Sequence, residues 1–314
     1  MDLPGVGPQY PDDPKGSWVA RMRLHQSWYR AEVLGVPYGP GPRPDSPNAY
    51  GNYLTVADGA AGRNFVDPRA WAAYLARRDG PNVDTDRAER NLLTSQAMCF
   101  NLFGPLVGDP ALATTLGRAL DLPGGVRQVT DVRVEYAPVP RAEYLDNGSS
   151  FDAFVAYLDG DGERAFLGVE TKLTEPFTQS GPTSAKAEPR YAALTERADS
   201  VWREDAWPRR QDLRWRQLWQ NHLLVEALRR HPGAPHGHRG LLVLVGHPDD
   251  PECARTAADY KGTLVDPDAS FVDLPLDALV PAWRDAATEE QDRRWLFEVE
   301  RRYLDLAASS GPRA

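Results

Sequence analysis

Residues 151–173, FDAFVAYLDGDGERAFLGVETKL, decide how the rest of the chain is read. Phe151–Leu158 and Arg164–Leu173 are rich in aromatic and aliphatic side chains, and Asp159-Gly160-Asp161-Gly162 between them has strong turn chemistry. The pattern predicts a β-hairpin. If it is symmetric about Asp161, Leu158 faces Arg164, Ala156 faces Phe166, Phe154 faces Gly168 and Asp152 faces Glu170. Directly opposed residues share a sheet face, with Cβ atoms about 4.5–5.5 Å apart. Alternation along the strand puts Lys172 on the face of Glu170, and Val169, Thr171 and Leu173 on the other. A slip of one residue would destroy this cluster, whereas a slip of two would keep it.

Two opposed carboxylates repel one another unless a positive charge lies between them. A hard divalent cation such as Mg²⁺, which prefers carboxylate oxygens and keeps several waters, suits that position. Lys172 then adds a compact charge beside the ion. The residue type is informative: of 36 lysines and arginines, only Lys15, Lys172, Lys186 and Lys261 are lysines. Arginine is always protonated, whereas lysine can shift its pKa and take part in proton traffic. The bland alternative is a solvated Glu-x-Lys pair on a strand surface.

At 314 residues, with 41% apolar and 26% charged side chains, the chain has the composition of an ordinary globular protein with a substantial core. Cys99 and Cys253 form neither a disulfide framework nor a zinc-ligand spacing. The leading residues MDLPGVGPQYPDD carry no basic or apolar targeting region. No stretch approaches about eighteen uninterrupted apolar residues, so a soluble cytoplasmic protein without a membrane partner is expected. The formal net charge of −9 argues against a general nucleic-acid surface. One local exception is REDAWPRRQDLRWR, residues 203–216, with five arginines against three acids and Trp207 and Trp215 interleaved. Arg209, Arg210, Arg214 and Arg216 are candidates for phosphate contacts there, against the alternative of a solvated helix start.

Residues 1–50 hold nine prolines around a helical stretch, Ser17–Leu34, whose Trp18, Met22, His25, Trp28 and Tyr29 fall near one face. This reads as an arm, residues 1–80, docked on a core domain at 81–308, with a tail at 309–314. Glycine-rich turns and a short helix, Asp67–Arg77, complete the arm. A long helix is expected over Arg87–Phe103, capped by Asp86 with Glu89 reaching back as a capping box. Gln96 lies within its apolar stripe and needs a partner. A strand at Gln128–Tyr136 precedes the hairpin, and an irregular loop is expected over 174–205. A helix at Asp212–Arg229 follows, with Gln217 and Asn221 one turn apart at the edge of its apolar side. Gly240–Gly246 is an apolar run typical of a strand buried on both faces. A helix from about Thr288 to Leu306 closes the chain. The order implies an α/β core, a mixed central sheet flanked by helices, with an N-terminal helical arm.

Asp152 followed by Glu170-Thr171-Lys172 on a hairpin, with a helix before and a helix and strand after, resembles the PD-(D/E)xK nuclease superfamily and its restriction-endonuclease-like fold. NLLTSQAMCFNLFGPL, GVETKLTEPF, RQLWQNHLLVEAL and RRYLDL are similar to blocks in a bacterial group of restriction-endonuclease-like proteins. The resemblance runs from about Ser17 onward. It implies a metal-dependent phosphodiesterase acting on DNA, with Asp152, Glu170 and the Thr171 backbone carbonyl holding Mg²⁺, or Mn²⁺ in its place. Lys172 would orient or deprotonate the attacking water. Phe151 stands where the superfamily name has proline. Glu89 matches the position of a helix glutamate in many members, and Gln96 and Gln217 are further supporting candidates. Cutting both strands would favour a homodimer.

Two other functions fit the same residues. One is an inactive nucleic-acid-binding module on this fold, against which the intact Asp, Glu and Lys argue. The other is a hydrolase using Asp152 and Glu170 as an acid/base pair, for example on a glycoside, which Lys172 disfavours. His231, His236 and His238 in HPGAPHGHRG read as a surface turn in preference to a metal site.

Overall fold

A computed structural model of the chain describes residues 5–177, 188–209, 212 and 214–310. They divide into two compact units. The first comprises Met1–Pro105, Leu173–Glu175 and Ala287–Ala314. Its leading helix, Trp18–Trp28, starts where the Ser17 hydroxyl accepts the Ala20 N–H, and it continues as a π turn over Tyr29–Leu34. Met22, His25, Trp28 and Tyr29 are buried, as their spacing predicts. Trp18 is half-buried and donates its indole N–H to the Leu173 carbonyl at 2.7 Å. A small antiparallel sheet follows, β1 (Tyr38–Pro40) with β2 (Ala49–Leu54), where the sequence had suggested only turns. The short helix is Pro68–Leu75, capped by Asp67.

The single helix expected over Arg87–Phe103 is two, Thr85–Arg90 and Ser95–Phe103. Asn91 forms a bridge to Tyr53 of β2, and the Leu92 N–H donates to the Asn52 carbonyl at 3.0 Å. This strand-like pairing overrides a helical periodicity that continues through the break, and Thr94 starts the next helix by accepting the Gln96 N–H. The first helix is capped by Asp84, which accepts the Arg87 N–H, and not by Asp86. Asp86 instead pairs with the buried Arg90 at 2.6 Å. The interior of this unit includes several polar side chains, among them Gln26, Asn64 and Arg302. Arg302, fully buried, donates to Gln26 Oε1 at 3.1 Å and to the Asn64 carbonyl at 2.6 Å, which ties the C-terminal helix Glu290–Tyr303 to the first helix.

The second unit comprises Leu106–Lys172 and Pro176–Ala286. Its sheet runs in the order β3 (Gln128–Tyr136), β4 (Phe151–Leu158), β5 (Arg164–Thr171), β6 (Arg239–Val245), β7 (Phe271–Asp273). The first three strands are antiparallel neighbours, whereas β5, β6 and β7 are parallel. Parallel pairing demands a crossover, and helix Arg216–Arg229 supplies it by packing on β5 and β6. Its buried Leu218, Trp219, Leu223 and Val225 join Phe154, Phe166, Leu242 and Leu244 in one apolar cluster. Helix Pro110–Arg118 lies against β3, with Gly117 beside Val129, and helix Leu276–Ala286 packs on that helix. The mixed sheet flanked by helices is the architecture the sequence predicts. Helices Pro110–Arg118, Pro251–Lys261 and Leu276–Ala286 and strand β7 are additions to the elements expected from the sequence. The loop expected over 174–205 contains a helix, Glu188–Thr195. The crossover helix begins at Arg216, not at Asp212.

Candidate active site

The hairpin register is the one its turn dictates. Asp159 Oδ1 accepts the N–H groups of Asp161 and Glu163 at 3.0 and 2.9 Å, and Gly162 takes φ +86. Leu158 then pairs with Arg164, Ala156 with Phe166, Phe154 with Gly168 and Ala153 with Val169. There the pairing stops, one residue short of Asp152 and Glu170. Asp152 Oδ2 fills the place of a backbone acceptor, taking the Thr171 N–H at 2.8 Å and the Thr171 hydroxyl at 2.7 Å. Two features lie beside this point. Glu135, buried on β3 and opposite Asp152 by register, has φ +49, a left-handed backbone that interrupts strand alternation. Tyr136 after it packs with its ring centre 4.4 Å from that of Phe154, the two planes tilted by 33°. The Phe151 ring meanwhile lies over Gly168, where an added Cβ would sit 2.4 Å from a ring carbon. Only glycine permits that approach.

Glu170 is 2% exposed and Lys172 5% exposed, a degree of burial that charged groups tolerate only when paired. Lys172 Nζ lies 2.9 Å from Glu170 Oε1 and donates to Gln217 Oε1 at 2.7 Å. Gln217 Nε2 donates to Glu170 Oε1 at 2.5 Å, which closes a triangle of three side chains. Asn221 Nδ2 donates to Glu170 Oε2 at 2.6 Å. Burial, then the nearby Asp152 carboxylate, pushes the Glu170 carboxyl up to about 7 against the opposing pull of Lys172. The Lys172 amine also lies 5.3 Å from the centre of the Phe177 ring.

Asp152, Glu170, Thr171 and Lys172, together with Gln217, are therefore gathered in one place. Asn221, passed over as a site residue, belongs with them. Its signal was the four-residue spacing from Gln217 on a helix that is otherwise apolar at that edge. The other supporting candidates are engaged within the first unit. Glu89 accepts the Tyr74 hydroxyl at 2.9 Å and pairs with Arg78 at 3.0 Å, so it closes no capping box. Gln96 donates to the Asn82 carbonyl at 3.0 Å and accepts the Asp84 N–H at 3.1 Å.

Of the arginines, Arg209 and Arg214 are exposed, with guanidinium carbons 4.5 and 4.9 Å from the centre of the Trp215 ring. Asp212 pairs with both, at 3.9 and 3.0 Å. Arg216 is buried, so it is no part of a solvated face. Arg210 lies outside the described residues. Trp215 is buried in the core, and Trp207 donates to the Trp202 carbonyl at 3.2 Å, so both pack the fold. The histidines find separate partners: His231 with Glu143, His236 with Tyr136 and His238 with the Arg229 carbonyl. No group of three or more His, Cys, Asp or Glu among the described residues is arranged to hold a metal.

The donor set at Asp152 and Glu170 fits a hard divalent ion. It offers carboxylate oxygens without sulfur or imidazole, and burial makes the second negative charge costly until a cation offsets it. A family model described as the PD-(D/E)XK nuclease superfamily matches residues 11–305. The chain belongs to that superfamily, and its mixed sheet flanked by helices agrees with the restriction-endonuclease-like fold. No curated protein and no solved structure matches it. No helix among the described residues is long and apolar enough to cross a membrane.

Proposed function

We propose that the chain is a divalent-metal-dependent nuclease that hydrolyses phosphodiester bonds in DNA, working in the cytoplasm. The observation that carries this reading is the convergence of Asp152, Glu170 and Lys172 at the end of the β4–β5 hairpin, within a chain of the PD-(D/E)XK superfamily. Asp152 and Glu170, with the Thr171 backbone carbonyl, would hold Mg²⁺, or Mn²⁺ as a substitute. When bound, the ion lowers the pKa of a water and offsets charge on the reacting phosphate.

The protein's own groups do the rest. Thr171 holds Asp152 through two donors, so the carboxylate stays aimed when strand pairing ends. Lys172 offers a cation to the scissile phosphate and to the attacking water. Its amine is kept in place by Glu170 and Gln217, and its burial keeps competing water away. Arg209 and Arg214 contact the substrate backbone further out, and two copies of the chain would meet the two strands of a duplex.

The test is incubation of the purified chain with supercoiled plasmid and with single-stranded DNA and RNA, in Mg²⁺, Mn²⁺ or EDTA. Cleavage in either metal and none in EDTA supports the reading. Metal-independent cleavage, or none on any nucleic acid, removes it.

A further inference from the structure

We propose that Asn221 is the positioning residue of Glu170, and that it and Gln217 divide the site: Asn221 fixes the carboxylate, Gln217 the amine of Lys172. This rests on the metal-dependent reading of the site given above. The two amides lie one turn apart on helix Arg216–Arg229, yet their surroundings differ. Asn221 is 3% exposed, with the buried Leu218 and Val225 about one turn away on its own helix, whereas Gln217 is only half-buried.

Their bonds differ as well. A carboxylate only accepts, so Asn221 must present Nδ2 to Glu170 Oε2, which fixes the orientation of the amide. Gln217 is bound through both ends, accepting from Lys172 and donating to Glu170 Oε1. Glu170 Oε1 thus carries two donors, from Lys172 and Gln217. Glu170 Oε1 would be the oxygen open to a cation, because one of its donors, Gln217, can move aside. Gln217, half-exposed and with three side-chain torsions, can release its N–H while its carbonyl keeps the Lys172 amine. The buried Asn221 keeps Oε2 throughout, so the carboxylate pivots on it. Partners that orient a metal-binding carboxylate typically contribute about 10–100-fold to metal affinity.

The experiment measures Mn²⁺ binding to the full chain by calorimetry, beside thermal melts in EDTA. Asn221→Ala is expected to weaken Mn²⁺ binding about tenfold or more, and Gln217→Ala to change it by less than about threefold. Asn221→Ser, which keeps a short donor, is expected to fall between Asn221→Ala and the parent, and serves if the alanine variant does not fold. In plasmid assays at saturating Mn²⁺, Gln217→Ala loses turnover whereas Asn221→Ala regains most of it. Equal affinities in parent, Asn221→Ala and Asn221→Ser overturn the inference, as does an equal loss in Gln217→Ala. Absence of Mn²⁺ binding by the parent chain would instead overturn the metal reading itself.

Discussion

Replacing Lys172 with methionine removes the amine and keeps most of the stem, so it separates the residue's charge from its packing. In the folded chain that amine is 2.9 Å from Glu170 Oε1, with both side chains at or below 5% exposure. At an effective dielectric of 20, unit charges at this distance attract by about 6 kcal/mol before desolvation is counted. Removing one partner of a buried pair typically costs about 3–5 kcal/mol, because the other charge is left behind. Here the stranded group is Glu170, whose carboxyl burial and Asp152 already push up to about 7 and Lys172 restrains. In EDTA at pH 8, Lys172→Met should therefore lose about 3 kcal/mol in denaturant titrations. Adding Glu170→Gln should recover most of that loss, since a neutral amide strands no charge. Activity should behave otherwise. Plasmid cleavage in Mg²⁺ is expected to drop at least about 1,000-fold, or about 4 kcal/mol of transition-state stabilisation, and to stay lost in the double variant. A Lys172→Met rate within about tenfold of the parent would refute the role in chemistry. A double variant no more stable than Lys172→Met would refute the electrostatic account.

His222 is fully buried, and burial, then Arg229, pushes its pKa down to about 3. It is neutral in the folded chain but takes up a proton below about 6.5 when unfolded, so its contribution is intact above that pH and lost as pH falls. The loss reaches about 3 kcal/mol by pH 4, and His222→Phe should flatten the acid limb of urea midpoints; parallel profiles would sink this. Cys253 is 4% exposed, and burial together with Asp250 and Asp273 pushes its thiol up to about 12. Ellman's reagent should therefore modify it only after denaturant is added, and rapid reaction of the native chain would contradict that burial. Gly168→Ala forces its new methyl against the Phe151 ring, for a loss of about 1–3 kcal/mol. Because Phe151 adjoins Asp152, cleavage should fall more than tenfold at a temperature where the variant is folded; full activity would show that this ring does not set the carboxylate.

The hairpin was legible because local chemistry alone settles it: Asp159 and the two glycines fix the turn, and alternation does the rest. The end of that pairing was not legible, because it coincides with packing that alternation does not encode: the Phe151 ring over Gly168 within the hairpin, and the left-handed backbone of Glu135 on the neighbouring strand. A similar non-local cause breaks Arg87–Phe103, where Asn91 pairs with Tyr53 from residues far back in the chain. Other misses had a signal. Asp67-Pro68, Asp109-Pro110 and Asp250-Pro251 each start a helix, with the aspartate as cap and proline in the first turn. The same signal stands at all three starts, so the second and third helices were as legible as the first. Asn221 was visible as a spacing but not as a partner of Glu170, since that pairing depends on how the crossover helix sits on β5.

The charge of the chain bears on how such a site would meet a polyanion. A net −9 repels phosphate at long range, and Asp212 and Asp259 blunt the exposed Arg214. With both carboxyls ionised, Asp152, Glu170 and Lys172 together carry one net negative charge, which also opposes a phosphate. A divalent ion reverses that sign, turning the same three side chains into one net positive charge held in a largely buried setting, where little solvent screens it. On the nuclease reading, then, substrate attraction is conditional on the ion: the same charge that activates water also makes the site able to hold a phosphate at all. On that reading the acidity of the chain is compatible with a phosphate substrate, because the loaded ion offsets the repulsion where the chemistry occurs.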